Sequence, residues 1–147
     1  MPTIRYELES KFGSTYGEEE ERALIEVLRK QAPTSGNACA QFEKEFAAYC
    51  GTQFARVCSN GTAALFLSLV GLDVKQGDRV LTTPLTWIAT AAAGVTLGAE
   101  VDFVDVDPAT CNIDAAQIEA RLTGNTKAVV PVHLYGQMAD LPRLARW

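Results

Sequence analysis

RVLTTPLTWIATAAAGVTLGAEVDFVDV, residues Arg79–Val106, decides the fold. It opens on a β-rich run, Arg79–Pro84, and passes into a helix-forming, alanine-rich stretch that ends at Gly98. It then returns to a β-rich run at Glu100–Val106. A strand, a crossover helix and another strand, in that order, are the signature of a parallel sheet.

The same alternation continues on both sides. Upstream, Gln53–Ser59 (QFARVCS) reads as a short strand, GTAALFLSLVGLD as a helix and KQGD as a turn. Downstream, Asp114–Thr123 reads as a helix with Asp114 as its N-cap. Thr126–Gly136 reads as a strand leaving through a loop, and Asp140–Trp147 starts another helix. Strand and helix thus alternate four times, which predicts an α/β fold with a mostly parallel sheet. Two helices precede these units. Gly17–Gln31 carries Leu24, Ile25 and Leu28 on one face, with glutamates first and basic residues last, as the helix dipole prefers. After a loop at Ala32–Asn37, Ala38–Gly51 places Phe42, Phe46 and Tyr49 on one face, a stripe for a core or an interface, and Gly51 supplies the stop.

Composition bounds the function. The 147 residues fit one domain, and 48% hydrophobic with 21% charged residues is ordinary for a globular chain. A net charge of −5 argues against nucleic acid as a partner, because phosphate backbones require a basic face. No uninterrupted apolar run is long enough to span a membrane. MPTIRYELESKFG has no apolar signal region, so a cytoplasmic location is the default expectation. Cys39, Cys50, Cys58 and Cys111 lack zinc-ribbon spacing and His133 is the sole histidine, so no metal site is expected.

In a parallel sheet ligands sit beyond the carboxyl ends of the strands. That singles out Ser59–Ala63, Thr83–Trp87, Asp105–Asp107 and His133–Gln137. In VCSNGTAAL, Gly61 permits close approach to the backbone. Thr62, Ala63 and Ala64 offer N–H groups of a first helical turn, with Ser59, Asn60 and Thr62 adding side-chain donors. This is either an anion site, most naturally for a phosphate, or a plain strand-to-helix turn. Trp87 is either a stacking platform for a planar ring or a core residue. Asp105 and Asp107 are either a carboxylate pair for metal or proton chemistry or a turn, and the following Pro-x-Thr favours the turn. His133 is either an acid/base or ligand-orienting group or an imidazole satisfied by neighbouring backbone.

FEKEFAAYCG, SNGTAALFLSL, GDRVLTTPLTWIATAAA, GAEVDFVDVDPATCNID and TKAVVPVHLYGQMADLP follow one another from Phe42 to Pro142. In that order and spacing they resemble the DegT/StrS-type sugar aminotransferases, a fold-type I family dependent on pyridoxal phosphate. The resemblance implies a three-layer large domain, here in part, over residues 37–147, preceded by an N-terminal arm and helix over 1–36. It implies that Gly61, Thr62 and Ala63 hold the cofactor phosphate and that Trp87 stacks on the pyridine ring. It places His133 near the cofactor, and it leaves Asp105 and Asp107 structural. The implied reaction transfers an amino group from glutamate or glutamine to a keto-sugar or an aminocyclitol precursor, in a homodimer.

The chain also departs from that pattern. Neither the acidic E-D-x-A segment nor the Schiff-base lysine of the family is found. Lys11, Lys30, Lys44, Lys75 and Lys127 do not match its motif. The expectation is therefore a truncated aminotransferase polypeptide with an incomplete sheet, inactive alone, whose phosphate turn is detached from the ring-stacking segment. The alternatives are a non-catalytic half-domain that complements a partner chain, or a sugar dehydratase using pyridoxal or pyridoxamine phosphate.

Overall fold

The strand–helix–strand unit read from Arg79 onward forms as expected, and the sheet is built around it. The computed structural model describes residues 16–30 and 36–146. They fall into two compact units that divide between Val57 and Cys58.

The first unit holds α1 (Glu18–Lys30) and α2 (Asn37–Cys50). α1 starts on four glutamates and ends on Arg29 and Lys30. α2 ends where Gly51 turns left-handed at φ 68° and donates back to Ala48 O at 3.3 Å. Phe42 and Phe46 stack with ring centroids 5.5 Å apart, and with Tyr49 they form an exposed stripe. Within the unit this stripe is therefore surface, not core. The expected strand Gln53–Ser59 is not formed. No strand among the described residues lies beside it, and a strand exists only through its ladder partners. A side chain takes up its polar groups instead: Val57 N–H donates to Glu43 Oε1 at 3.0 Å, and Arg56 donates to Glu43 Oε2 at 2.7 Å. The Val57 bond, more than the arginine, holds the Glu43 carboxyl below its usual range.

The second unit runs α3 (Gly61–Gly71), β1 (Arg79–Thr82), α4 (Ala89–Thr96), β2 (Glu100–Phe103), α5 (Ala115–Ile118), β3 (Thr126–Val130) and α6 (Leu141–Leu144). The strands are parallel in the order β2-β1-β3, with Val80 opposite Val101 on one side and Ala128 on the other. Alternation along β1 divides the core, since successive side chains point to opposite faces. Val80 joins Leu69, Val74, Ala93 and Ala99 under α3 and α4. Leu81 joins Val104, Ile113, Ile118 and Ala139 under α5 and the segment leading to α6. Helix, sheet and helix make the expected three layers.

Two details position the site. α4 is shorter than Leu85–Gly98 suggested, because Thr83 and Pro84 turn the chain first. Leu85 N–H donates to Thr83 Oγ1 at 3.3 Å and Thr86 N–H to Pro84 O at 3.2 Å. The helix then lies close against the sheet at Gly94, where a Cβ would come within 2.9 Å of Val101 Cγ2. No helix among the described residues is long and apolar enough to cross a membrane.

Candidate functional site

α3 begins where it does because Asn60 caps it. Asn60 is extended at φ −171°, its Oδ1 accepts from Ala63 N–H at 2.9 Å, and its carbonyl accepts from Ala64 N–H at 3.0 Å. Of the N–H groups expected to be open at Thr62, Ala63 and Ala64, only that of Thr62 is. The cap takes the second and the first intrahelical bond takes the third. Gly61 N–H is open as well, and the Thr62 hydroxyl has no partner among the described residues. A Cβ built at Gly61 meets nothing within 4 Å. Packing inside the chain therefore does not require glycine there; the space in front of it is open.

Trp87 faces that space. It is 77% exposed and belongs to no core cluster. Its carbonyl accepts from Thr90 N–H at 3.0 Å, which anchors the turn into α4. α3 and α4 pack side by side on one face of the sheet. Gly61, Thr62 and Trp87 consequently line one open hollow of about 590 Å³, with Ser68 and Thr90 on its wall. Gly61 and Thr62 are thus brought together with Trp87, against the expectation that these two segments would be detached. The reason is that α3 is carried by its own apolar face, Leu65 and Leu69, and does not depend on a preceding strand. Ser68 and Thr90 were not anticipated. Ser68 lies two turns along α3 from Gly61, and only the helix pairing brings it to the hollow.

His133, Asp105 and Asp107 lie outside this lining. His133 is exposed, and its Nδ1 accepts from Ala139 N–H at 3.0 Å, which places the proton of the neutral ring on Nε2. Backbone thus satisfies one ring nitrogen and leaves Nε2–H as a donor. Asp107 Oδ1 accepts from Ala109 N–H at 2.7 Å and Asp105 O from Asp114 N–H at 2.9 Å, so both residues build the turn after β2. Asn112 is 3% exposed. Its carboxamide donates to Gln137 O and accepts from Leu134 N–H, both at 3.0 Å, and so ties down the loop that carries His133. Nothing in its local sequence marks it, because its partners are more than twenty residues away. No group of three or more His, Cys, Asp or Glu among the described residues is arranged to hold a metal.

The model of the DegT/DnrJ/EryC1/StrS aminotransferase family matches residues 14–147. GDP-perosamine synthase of Caulobacter vibrioides is 49% identical over 106 residues, 72% of this chain and 29% of that protein. Among solved structures, an aminotransferase from Psychrobacter cryohalolentis superposes with a TM-score of 0.83 at 39% identity, covering 90% of this chain and 34% of the other. A GDP-4-keto-6-deoxymannose-3-dehydratase with a trapped PLP-glutamate adduct superposes with a TM-score of 0.84 at 29% identity, covering 91% and 36%. The chain spans about a third of the length of the relatives it matches.

Proposed function

The chain belongs to the DegT/DnrJ/EryC1/StrS aminotransferase family, a family of pyridoxal-phosphate enzymes, and from that premise we propose that the hollow between α3 and Trp87 receives the cofactor. One observation carries the reading: an open glycine-led helix N-terminus and an unpacked tryptophan line the same space. The residues present fit the group. The N–H groups of Gly61 and Thr62 and the Thr62 hydroxyl suit a phosphate at the positive end of the helix. Ala63 adds a third N–H once its cap is released. The Trp87 indole suits the face of a pyridine ring. His133 lies outside the lining, and for it the family resemblance alone supports a place near the cofactor, with Nε2–H as the donor it has to offer.

When bound, pyridoxal phosphate supplies the electron sink for chemistry next to an amino group. The residues of this chain bind and orient it. The reaction proposed for the whole enzyme is amino transfer from glutamate or glutamine to a nucleotide-linked keto-sugar, in a homodimer. Among the described residues neither a lysine nor a carboxylate lines the hollow, so the role proposed for these residues is binding and orientation of the cofactor. The superposition on a keto-sugar dehydratase supports a second reading, in which the same hollow serves removal of a hydroxyl group.

The test is calorimetric titration of the chain with pyridoxamine 5′-phosphate, which has no aldehyde to react with surface lysines. Trp87→Ala is expected to weaken binding about five-fold, from the loss of roughly 1 kcal/mol of ring stacking. Gly61→Ala is expected to weaken it by obstructing the phosphate. Neither should lower the melting temperature, because Trp87 is exposed and Gly61 faces open space. Absence of binding, or binding unaffected by both substitutions, overturns the reading.

A further inference from the structure

We propose that the Asn60 carboxamide is a built-in competitor of the phosphate, occupying Ala63 N–H when no ligand is bound and swinging away when one binds. The inference rests on the cofactor-hollow reading above and assigns Asn60 as a positioning residue.

The geometry carries it. Asn60 Oδ1 sits 2.9 Å from Ala63 N, where an acceptor oxygen of a phosphate would sit to use the same donor. Gly61, Thr62 and Ala64, from the same first turn, line the hollow. The carboxamide is lightly held. Asn60 is exposed, and its Nδ2 has no partner among the described residues, so one hydrogen bond fixes it. Asn112 shows the contrast: it is buried, with both ends of its carboxamide bonded. A single solvent-facing bond to a neutral acceptor yields to a charged one, because hydrogen bonds to ionised groups are roughly twice as strong. The exchange never leaves the helix end unsatisfied, since phosphate replaces the cap as it departs.

A role in fold alone and a role as competitor have opposite signatures. If Asn60 only holds the helix, its removal loosens the turn and binding weakens or stays the same. If it competes, its removal costs stability but tightens binding.

The experiment titrates the 15N-labelled chain with inorganic phosphate and, separately, with pyridoxamine 5′-phosphate. In the wild type the Ala63 amide resonance is expected to shift with both. Asn60→Ala should melt at a lower temperature yet bind both about five-fold more tightly, the equivalent of one lost cap. Asn60→Asp keeps the cap but sets a carboxylate beside the phosphate, so it should melt like the wild type and bind about ten-fold or more weakly. Asn60→Ala binding no tighter than the wild type, or an Ala63 amide unmoved at saturation, overturns the competitor role alone. A wild type that binds neither probe overturns the cofactor-hollow reading together with it. If Asn60→Ala fails to fold, Asn60→Asp and the wild-type Ala63 amide carry the test.

Discussion

At the scale of single residues, two glycines in this chain have opposite reasons to be glycine. Gly94 lies where α4 meets the sheet, with no room for a methyl group beside Val101. Gly94→Ala must push helix and sheet apart and is expected to destabilise the chain by about 1–3 kcal/mol, as overpacking does. A shift in the urea midpoint at unchanged slope checks it. Gly61 has room to spare, and its substitution should register in ligand binding. Both letters look alike in the sequence; what faces each Cα distinguishes them. Trp87 has the same ambiguity. Its neighbours in sequence are compatible with core or platform, and exposure on the folded surface removes the core reading and leaves the platform proposed above.

At the scale of elements, side-chain caps set the starts of α3, α5 and α6. Asp114 begins α5 by accepting from Ala116 N–H at 2.8 Å, as its sequence position suggested, and it also accepts from Gln117 Nε2 at 2.8 Å. The Gln117 side chain first, then the Ala116 N–H, holds its carboxyl below the ordinary value of 3.8. A lowered pKa in the fold means that the ionised form adds stability. That contribution is complete above 3.8 and is lost as pH falls through the lower folded value. Asp114→Ala is expected to cost about 1 kcal/mol at neutral pH. Its deficit against the wild type should shrink below pH 3.8, which paired thermal melts across pH would record. The one element misjudged from sequence, the strand at Gln53–Ser59, fails for a different reason. β-rich composition states a preference, but a strand needs a neighbour across the ladder.

At the scale of the whole molecule, the chain leaves large apolar side chains on its surface. In the first unit these include Phe42, Phe46 and Tyr49; in the second they include Ile88, just before α4, and Val95 on it. Exposed apolar surface of this kind marks association, and it agrees with the homodimer proposed from the family. Sedimentation velocity at micromolar protein is expected to show a species of twice the chain mass. A monomer across the concentration range would refute dimerisation through these residues.

By itself the sequence determined the order of helices and strands from Gly61 onward, the parallel α/β class, the caps at Asp114 and Gly51, and the family. These are written within a few residues of one another: alternation along a strand, a polar group at a helix start, glycine at its end. The Gly61–Ala63 turn and Trp87 were legible as candidates on the same basis. Only the tertiary structure decided that Gln53–Ser59 stays irregular, that Trp87 is uncovered, that Asn60 occupies Ala63 N–H, and that α3 and α4 share a hollow with Ser68 and Thr90 on its wall. Each of these depends on what lies opposite a residue or on how a side chain turns, and neither is fixed by sequence neighbours.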